Sequence, residues 1–158
     1  NAQKILEESA NKNIINENIE LAGIMMDPQT GKVIALTGGR NYNKSQYNRA
    51  TKATRQVGST IKPFLYYSAL ENGFTPSTTF TSEKTTFTFE NGKTYTPKNY
   101  NDKYPNKPIS MAAAIAYSDN IYAVKTHLFL GDNNLANIIK RTGIKDKVNN
   151  LPSLSSWF

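Results

Sequence analysis

The chain has no cysteine among its 158 residues, which excludes disulfides, thiol nucleophiles and cysteine-based zinc sites. That absence fits an extracytoplasmic location, and equally fits many cytosolic domains. No apolar run approaches the roughly eighteen to twenty residues that span a bilayer, and no signal peptide marks the start. Asn1-Ala2-Gln3-Lys4 reads as the interior of a longer chain, so any targeting or anchoring segment is expected outside this piece. Acidic side chains are few, 12 against 19 lysines and arginines, and the net charge is +7. Such a balance suits anionic surroundings such as phosphate polymers, anionic lipid or nucleic acid, although a solvated basic surface that aids solubility is the simpler reading. The length is enough for one domain with a core of its own.

Along the chain, residues 2–13 carry a helical pattern. Leu21 to Asp27 and Lys32 to Thr37 read as strands joined by Pro28-Gln29-Thr30-Gly31, a hairpin with one buried face. Residues 40–57 form a long polar loop, of a length that compact domains usually keep for function or leave disordered. A helix is expected over about 59–72, where Ile61, Phe64, Leu65 and Ala69 follow helical spacing, Pro63 falls in the first turn and Asn72-Gly73 supplies the stop. Residues 84–96 read as a second hairpin with an Asn91-Gly92 turn, and 97–109, with three prolines, as loop. Ser110 can cap a helix through Tyr117; further helices are expected over about 120–130 and 134–141.

Two short motifs carry chemistry. Ser59-Thr60-Ile61-Lys62 sets a hydroxyl and an amine three positions apart at a helix start. Both side chains then share a face. A serine alcohol is a poor nucleophile until a neighbouring base takes its proton, and a lysine amine can be that base. Backbone N–H groups at the same helix end would stabilise a developing anion. Alone, Ser59 is more simply a helix cap and Lys62 a solvated lysine. A second signature, Ser118-Asp119-Asn120, stands downstream. Serine-lysine enzymes that acylate on serine combine these two with a later Lys-Thr-Gly.

The wider segments decide between these readings. Arg55-Gln56-Val57-Gly58-Ser59-Thr60-Ile61-Lys62-Pro63-Phe64 resembles the active-site segment of class A (bifunctional) penicillin-binding proteins. Gly38-Gly39-Arg40-Asn41-Tyr42, Gln46-Tyr47-Asn48-Arg49-Ala50, Ala116 to Lys125 and Leu151-Pro152-Ser153-Leu154 resemble further segments of that family, in the same order. The resemblance implies an α+β, β-lactamase/transpeptidase-like fold, with helices packed on an antiparallel sheet. It implies D,D-transpeptidation of peptidoglycan stem peptides through a serine acyl-enzyme, with β-lactams acylating the same serine. By it, Ser59 is the nucleophile, Lys62 accepts its proton, Ser118 relays a proton to the leaving amine and Asn120 binds the substrate amide. The Ser59 N–H would be half of an oxyanion hole, and Asp119 a structural residue. No metal or organic cofactor is implied. The setting would be the extracytoplasmic face of the bacterial cytoplasmic membrane, with the membrane anchor and a preceding glycosyltransferase domain outside this chain, and with cell-division or elongation proteins as further partners.

Other signals are discounted. Arg141-Thr142-Gly143 looks like a helix stop rather than the Lys-Thr-Gly strand, and His127 like a packed helix residue rather than part of a Ser-His-Asp triad. Tyr42, Tyr47, Tyr95, Tyr100 and Tyr104 are expected to pack loops rather than stack on sugars or bases. Class A β-lactamases share the first two motifs but need a later glutamate to activate the deacylating water, and no glutamate follows Glu90. A slowly hydrolysed acyl-enzyme is the consequence. The resemblance also implies a continuation of more than a hundred residues bearing the Lys-Thr-Gly strand, whereas Ser155-Ser156-Trp157-Phe158 departs from the pattern. Residues 1–158 are thus expected to be one partial transpeptidase domain without its C-terminal strands, in doubt as an active unit alone. The alternatives are a non-catalytic module docking cell-wall polymer or a division partner and, more remotely, a basic nucleic-acid binder.

Overall fold

A computed structural model describes residues 1–144 apart from Ile14, Glu17, Glu90 and Asn91. The Leu151–Leu154 segment, the Ser155–Phe158 end and the Asn91 half of the second expected turn lie outside the described residues. The chain separates into two compact units, Asn1–Arg55 and the portion from Gln56 onward.

The first unit holds helix α1 (Ala2–Asn13), strands β1 (Gly23–Met26) and β2 (Val33–Thr37), and the short helix α2 (Arg49–Lys52). Asp27 builds the hairpin turn. Its carboxylate accepts from the Gln29 N–H at 2.9 Å and the Thr30 hydroxyl at 2.7 Å, and Gly31 takes the positive φ of 69° that closes it. β1 and β2 pair antiparallel with a bulge at Met25/Met26. The Gln3 amide acts as a fragment of a third strand, accepting from the Leu36 N–H and donating to the Leu36 carbonyl, both at 2.9 Å. The expected buried face is small: Ala35 and Thr37 are buried, while Ile24, Met26, Val33 and Ile34 stay exposed. A two-stranded ladder offers little surface to cover without further layers.

The polar segment after β2 is ordered by close approach. A Cβ on Gly38 would collide with Asn48. The Gly38 carbonyl accepts from the Arg49 N–H at 2.9 Å, and the Asn48 side chain caps α2. Gly38 and the Asn48-Arg49 pair, 10 and 11 residues further on, therefore stitch one loop shut.

The second unit carries helices α3 (Lys62–Glu71), α4 (Met111–Tyr117), α5 (Asn120–Leu130) and α6 (Asp132–Arg141). Leu65 and Ala69 of α3, Ala114 of α4, Tyr122 and Ala123 of α5 and Leu135 and Ile139 of α6 share one buried cluster. The stops fall where expected: Asn72 caps α3 before Gly73 at φ 87°, and α6 ends before Gly143 at φ 77°. Arg141 clamps Glu71 with two bonds of 2.7 and 3.0 Å, tying the last turns of α6 and α3 together.

Two small ladders flank these helices. β3 (Thr79–Ser82) pairs antiparallel with β6 (Lys107–Ser110), and β4 (Phe87–Thr88) pairs with β5 (Thr94–Tyr95). The β4–β5 hairpin was expected; β3 and β6 were not. Pro108 made 107–110 look like loop, yet proline is tolerated on a strand whose N–H side needs no partner. The described residues thus form an α+β fold with three two-stranded antiparallel sheets rather than one broad sheet.

Candidate active site

Ser59 lies in a 3₁₀ turn, Gly58–Ile61, that runs directly into α3. Gly58 has φ 54°, a value that penalises any side chain there. In a 3₁₀ turn residues three apart eclipse one another, so Ser59 and Lys62 stand on one side, and the Lys62 N–H donates to the Ser59 carbonyl. Pro63 occupies the first turn of α3, where its missing N–H has no intrahelical role. Ser59 is exposed, whereas Lys62 is 4% exposed.

The second motif is a corner between two helices. Ser118 closes α4 in the left-handed conformation, φ 52° and ψ 45°. A serine pays about 1–2 kcal/mol to sit there. Asp119 then caps α5 by accepting from the Tyr122 N–H at 2.7 Å. The corner turns the Ser118 carbonyl, the Ser118 hydroxyl and the Asn120 amide toward Lys62. The ammonium donates to these oxygens at 2.7, 3.1 and 2.5 Å. The three residues from the two motifs are therefore in direct contact, and Ser59, Lys62 and Ser118 line one cavity of about 390 Å³. Its other wall is apolar, with Met111 and Ile115.

Burial is the dominant influence on Lys62 and lowers its pKa from 10.5 to about 8; the Asp119 carboxylate partly opposes it. Asp119 is itself buried, at 3% exposure. Its outer oxygen accepts from the Ser82 hydroxyl at 2.5 Å and from Asn99 Nδ2 at 2.7 Å. Asn99 Oδ1 accepts from the Asn120 N–H at 2.8 Å, and the Lys98 carbonyl accepts from Asn120 Nδ2 at 2.7 Å. Asp119 is thus structural in its contacts while acting on Lys62 through its charge.

Sequence reasoning missed Ser82, Asn99 and Tyr66. Ser82 and Asn99 belong to a strand and a loop whose role emerges only once tertiary contacts form; flanked by Thr81 and Glu83 and by Lys98 and Tyr100, they carry no local signal of it. Tyr66, one helical turn beyond Lys62, lines the same cavity with its hydroxyl buried and unbonded. Burial, with the charge of Asp119 behind it, pushes its pKa up.

His127 packs at the α5–α6 junction, 1% exposed, with Nε2 3.5 Å from an Asp132 oxygen; burial lowers its pKa against the pull of Asp132. Tyr42, Tyr47 and Tyr100 depart from the expectation of packed loop tyrosines, at 71%, 48% and 85% exposure; each stands in a segment rich in polar residues.

Comparison with known proteins identifies the family. The family model of the penicillin binding protein transpeptidase domain matches residues 21–153. Penicillin-binding protein 2D of Bacillus subtilis is 50% identical over 155 residues, covering 97% of this chain and 22% of that protein. Penicillin-binding protein 1A of Aquifex aeolicus is 38% identical over 136 residues, covering 85% of this chain and 18% of the relative. The crystal structure of penicillin-binding protein 1A from Haemophilus influenzae superposes with a TM-score of 0.75 at 33% identity, over 80% of this chain and 19% of that one. The transpeptidase domain of Burkholderia pseudomallei penicillin-binding protein 3 shares the fold at 22% identity, with a TM-score of 0.68 over 99% of this chain and 46% of that one. The chain spans about a fifth of the length of the curated relatives it matches. It belongs to the penicillin-binding protein transpeptidase family.

Proposed function

We propose that this chain carries the nucleophile-bearing part of a peptidoglycan D,D-transpeptidase that works at the extracytoplasmic face of the bacterial cytoplasmic membrane. The observation that supports this most is the environment of Lys62: a buried amine, lowered to about 8, in contact with Ser118 and Asn120. At pH 7 a lysine near 8 is neutral about one time in ten, several hundred times more often than a free lysine. That fraction is what a general base for Ser59 requires.

In the first step Ser59 Oγ bonds to the carbonyl carbon of the penultimate D-alanine, and its proton passes to Lys62 Nζ. The carbonyl electron pair moves onto oxygen, where the Ser59 N–H supplies one donor. Collapse restores the carbonyl and breaks the C–N bond. The departing D-alanine amine takes a proton from Ser118, which is resupplied by Lys62 across their 3.1 Å contact. An acceptor amine from a neighbouring stem peptide then reverses the sequence, bonding to the acyl carbon and releasing Ser59. A β-lactam amide follows the same first step, but its ring-opened amine stays tethered. Asn120 has one amide hydrogen on Lys98 and one lone-pair direction on Lys62, which leaves one donor and one acceptor site for the substrate amide.

A fluorescent penicillin followed by denaturing electrophoresis tests the reading. A covalent label that Ser59→Ala removes supports it. No label on the full-length protein overturns it in favour of a non-catalytic module that docks cell-wall polymer.

A further inference from the structure

We infer that Asn99 is a positioning residue for acyl transfer, holding the Ser118–Asn120 corner against Lys62. The inference rests on the reading of Ser59 as nucleophile. Asn99 comes from the loop between β5 and β6, far in sequence from both motifs, and is 8% exposed. Its Nδ2 donates to Asp119 at 2.7 Å and also lies 3.3 Å from the Ser82 hydroxyl. Its Oδ1 accepts from the Asn120 N–H at 2.8 Å.

That N–H belongs to the first turn of α5, where helices leave donors without intrahelical partners. Asn99 supplies the missing acceptor. The neighbouring Lys98 carbonyl fixes the other end of the same residue by taking Asn120 Nδ2. Two adjacent loop residues thus set both the backbone and the side-chain amide of Asn120, and the Asn120 oxygen in turn sets Lys62 Nζ. Ser118, two residues before Asn120, ends α4 in the left-handed conformation with its N–H on the last-turn carbonyls, a helix stop usually left to glycine, and strained corners persist where surroundings over-determine them. Only a side chain that donates and accepts at once can bridge Asp119 and the Asn120 N–H. Aspartate lacks the donor, and serine is too short to span both.

A misplacement of about 1 Å among reacting groups costs on the order of a hundredfold in rate. The test is stopped-flow acylation by a fluorescent penicillin on the full-length protein, separating non-covalent affinity from the acylation rate constant, with thermal unfolding in parallel. Asn99→Ala is expected to lower the rate constant of the labelled fraction at least tenfold, with affinity within about threefold. Leu135→Ala, a truncation in the α6 core, is expected to lower stability while its folded fraction keeps the wild-type rate constant. A purely structural Asn99 would behave like Leu135, shrinking the labelled fraction at an unchanged rate constant, and that result overturns the inference. Should the alanine variant yield no folded protein, Asn99→Ser decides: a rate constant within threefold of wild type overturns it and a fivefold or larger loss supports it. Absence of label on wild type, or label surviving in Ser59→Ala, would instead defeat the underlying functional reading.

Discussion

Lys62 Nζ lies 2.5 Å from Asn120 Oδ1, across 58 positions of chain. That contact joins two helix starts into one site. It places an amine where burial weakens its hold on a proton, yet gives it oxygens to stay ordered among.

Lys62→Arg keeps a cation but cannot release its proton, since guanidinium stays charged in proteins. Its acylation rate constant is expected to fall by about 10²–10⁴, the usual worth of a general base. Stopped-flow labelling at pH 8 measures it. A loss below tenfold would show that another group takes the Ser59 proton.

Acylation by a penicillin should rise with pH through a midpoint near 8, following the neutral form of Lys62. The same group affects stability. Its folded pKa, about 8, lies below the ordinary 10.5, so between these values the unfolded chain binds more protons and stability rises with pH. The full span corresponds to about 3 kcal/mol. Tyr66 and Tyr122, both raised by burial, oppose the rise above about 10. Urea unfolding from pH 7 to 10 should therefore show a climb that Lys62→Met lacks.

Asp119→Ala removes a buried carboxylate that accepts from Ser82, Asn99 and the Tyr122 N–H. Leaving those donors unpaired should cost about 2–4 kcal/mol, measured by urea denaturation. A cost under 1 kcal/mol would mean that water replaces the carboxylate at little penalty.

Much of this was legible in the sequence because it rests on local rules. α1, the β1–β2 turn, α3 with Pro63 and Asn72-Gly73, and the stop at Gly143 follow from capping and turn chemistry within a few residues. The pairing of β3 with β6 was not legible. Thr79–Ser82 is short and Pro108 argues against a strand, so only tertiary pairing reveals either. The same holds for the site. Ser59, Lys62, Ser118 and Asn120 stood out through their motifs, while Ser82 and Asn99 gain meaning only from the buried Asp119 they share. The long segment after β2 looked like an open loop because no periodicity records that Gly38 meets Asn48.

Ser118→Gly and Ser118→Ala separate conformation from chemistry. Both lose the hydroxyl that touches Lys62, so both should acylate slowly. Glycine tolerates φ 52° and alanine does not, so the glycine variant should be more stable by about 0.5–1 kcal/mol. Equal unfolding midpoints would show that the corner is not strained.

Intact-mass and peptide-mapping mass spectrometry after incubation with benzylpenicillin tests the Ser59 assignment most directly. One adduct per chain, mapped to the peptide that contains Ser59 and absent in Ser59→Ala, is the predicted result. An adduct on another residue, or none on the full-length protein at pH 8, would contradict it.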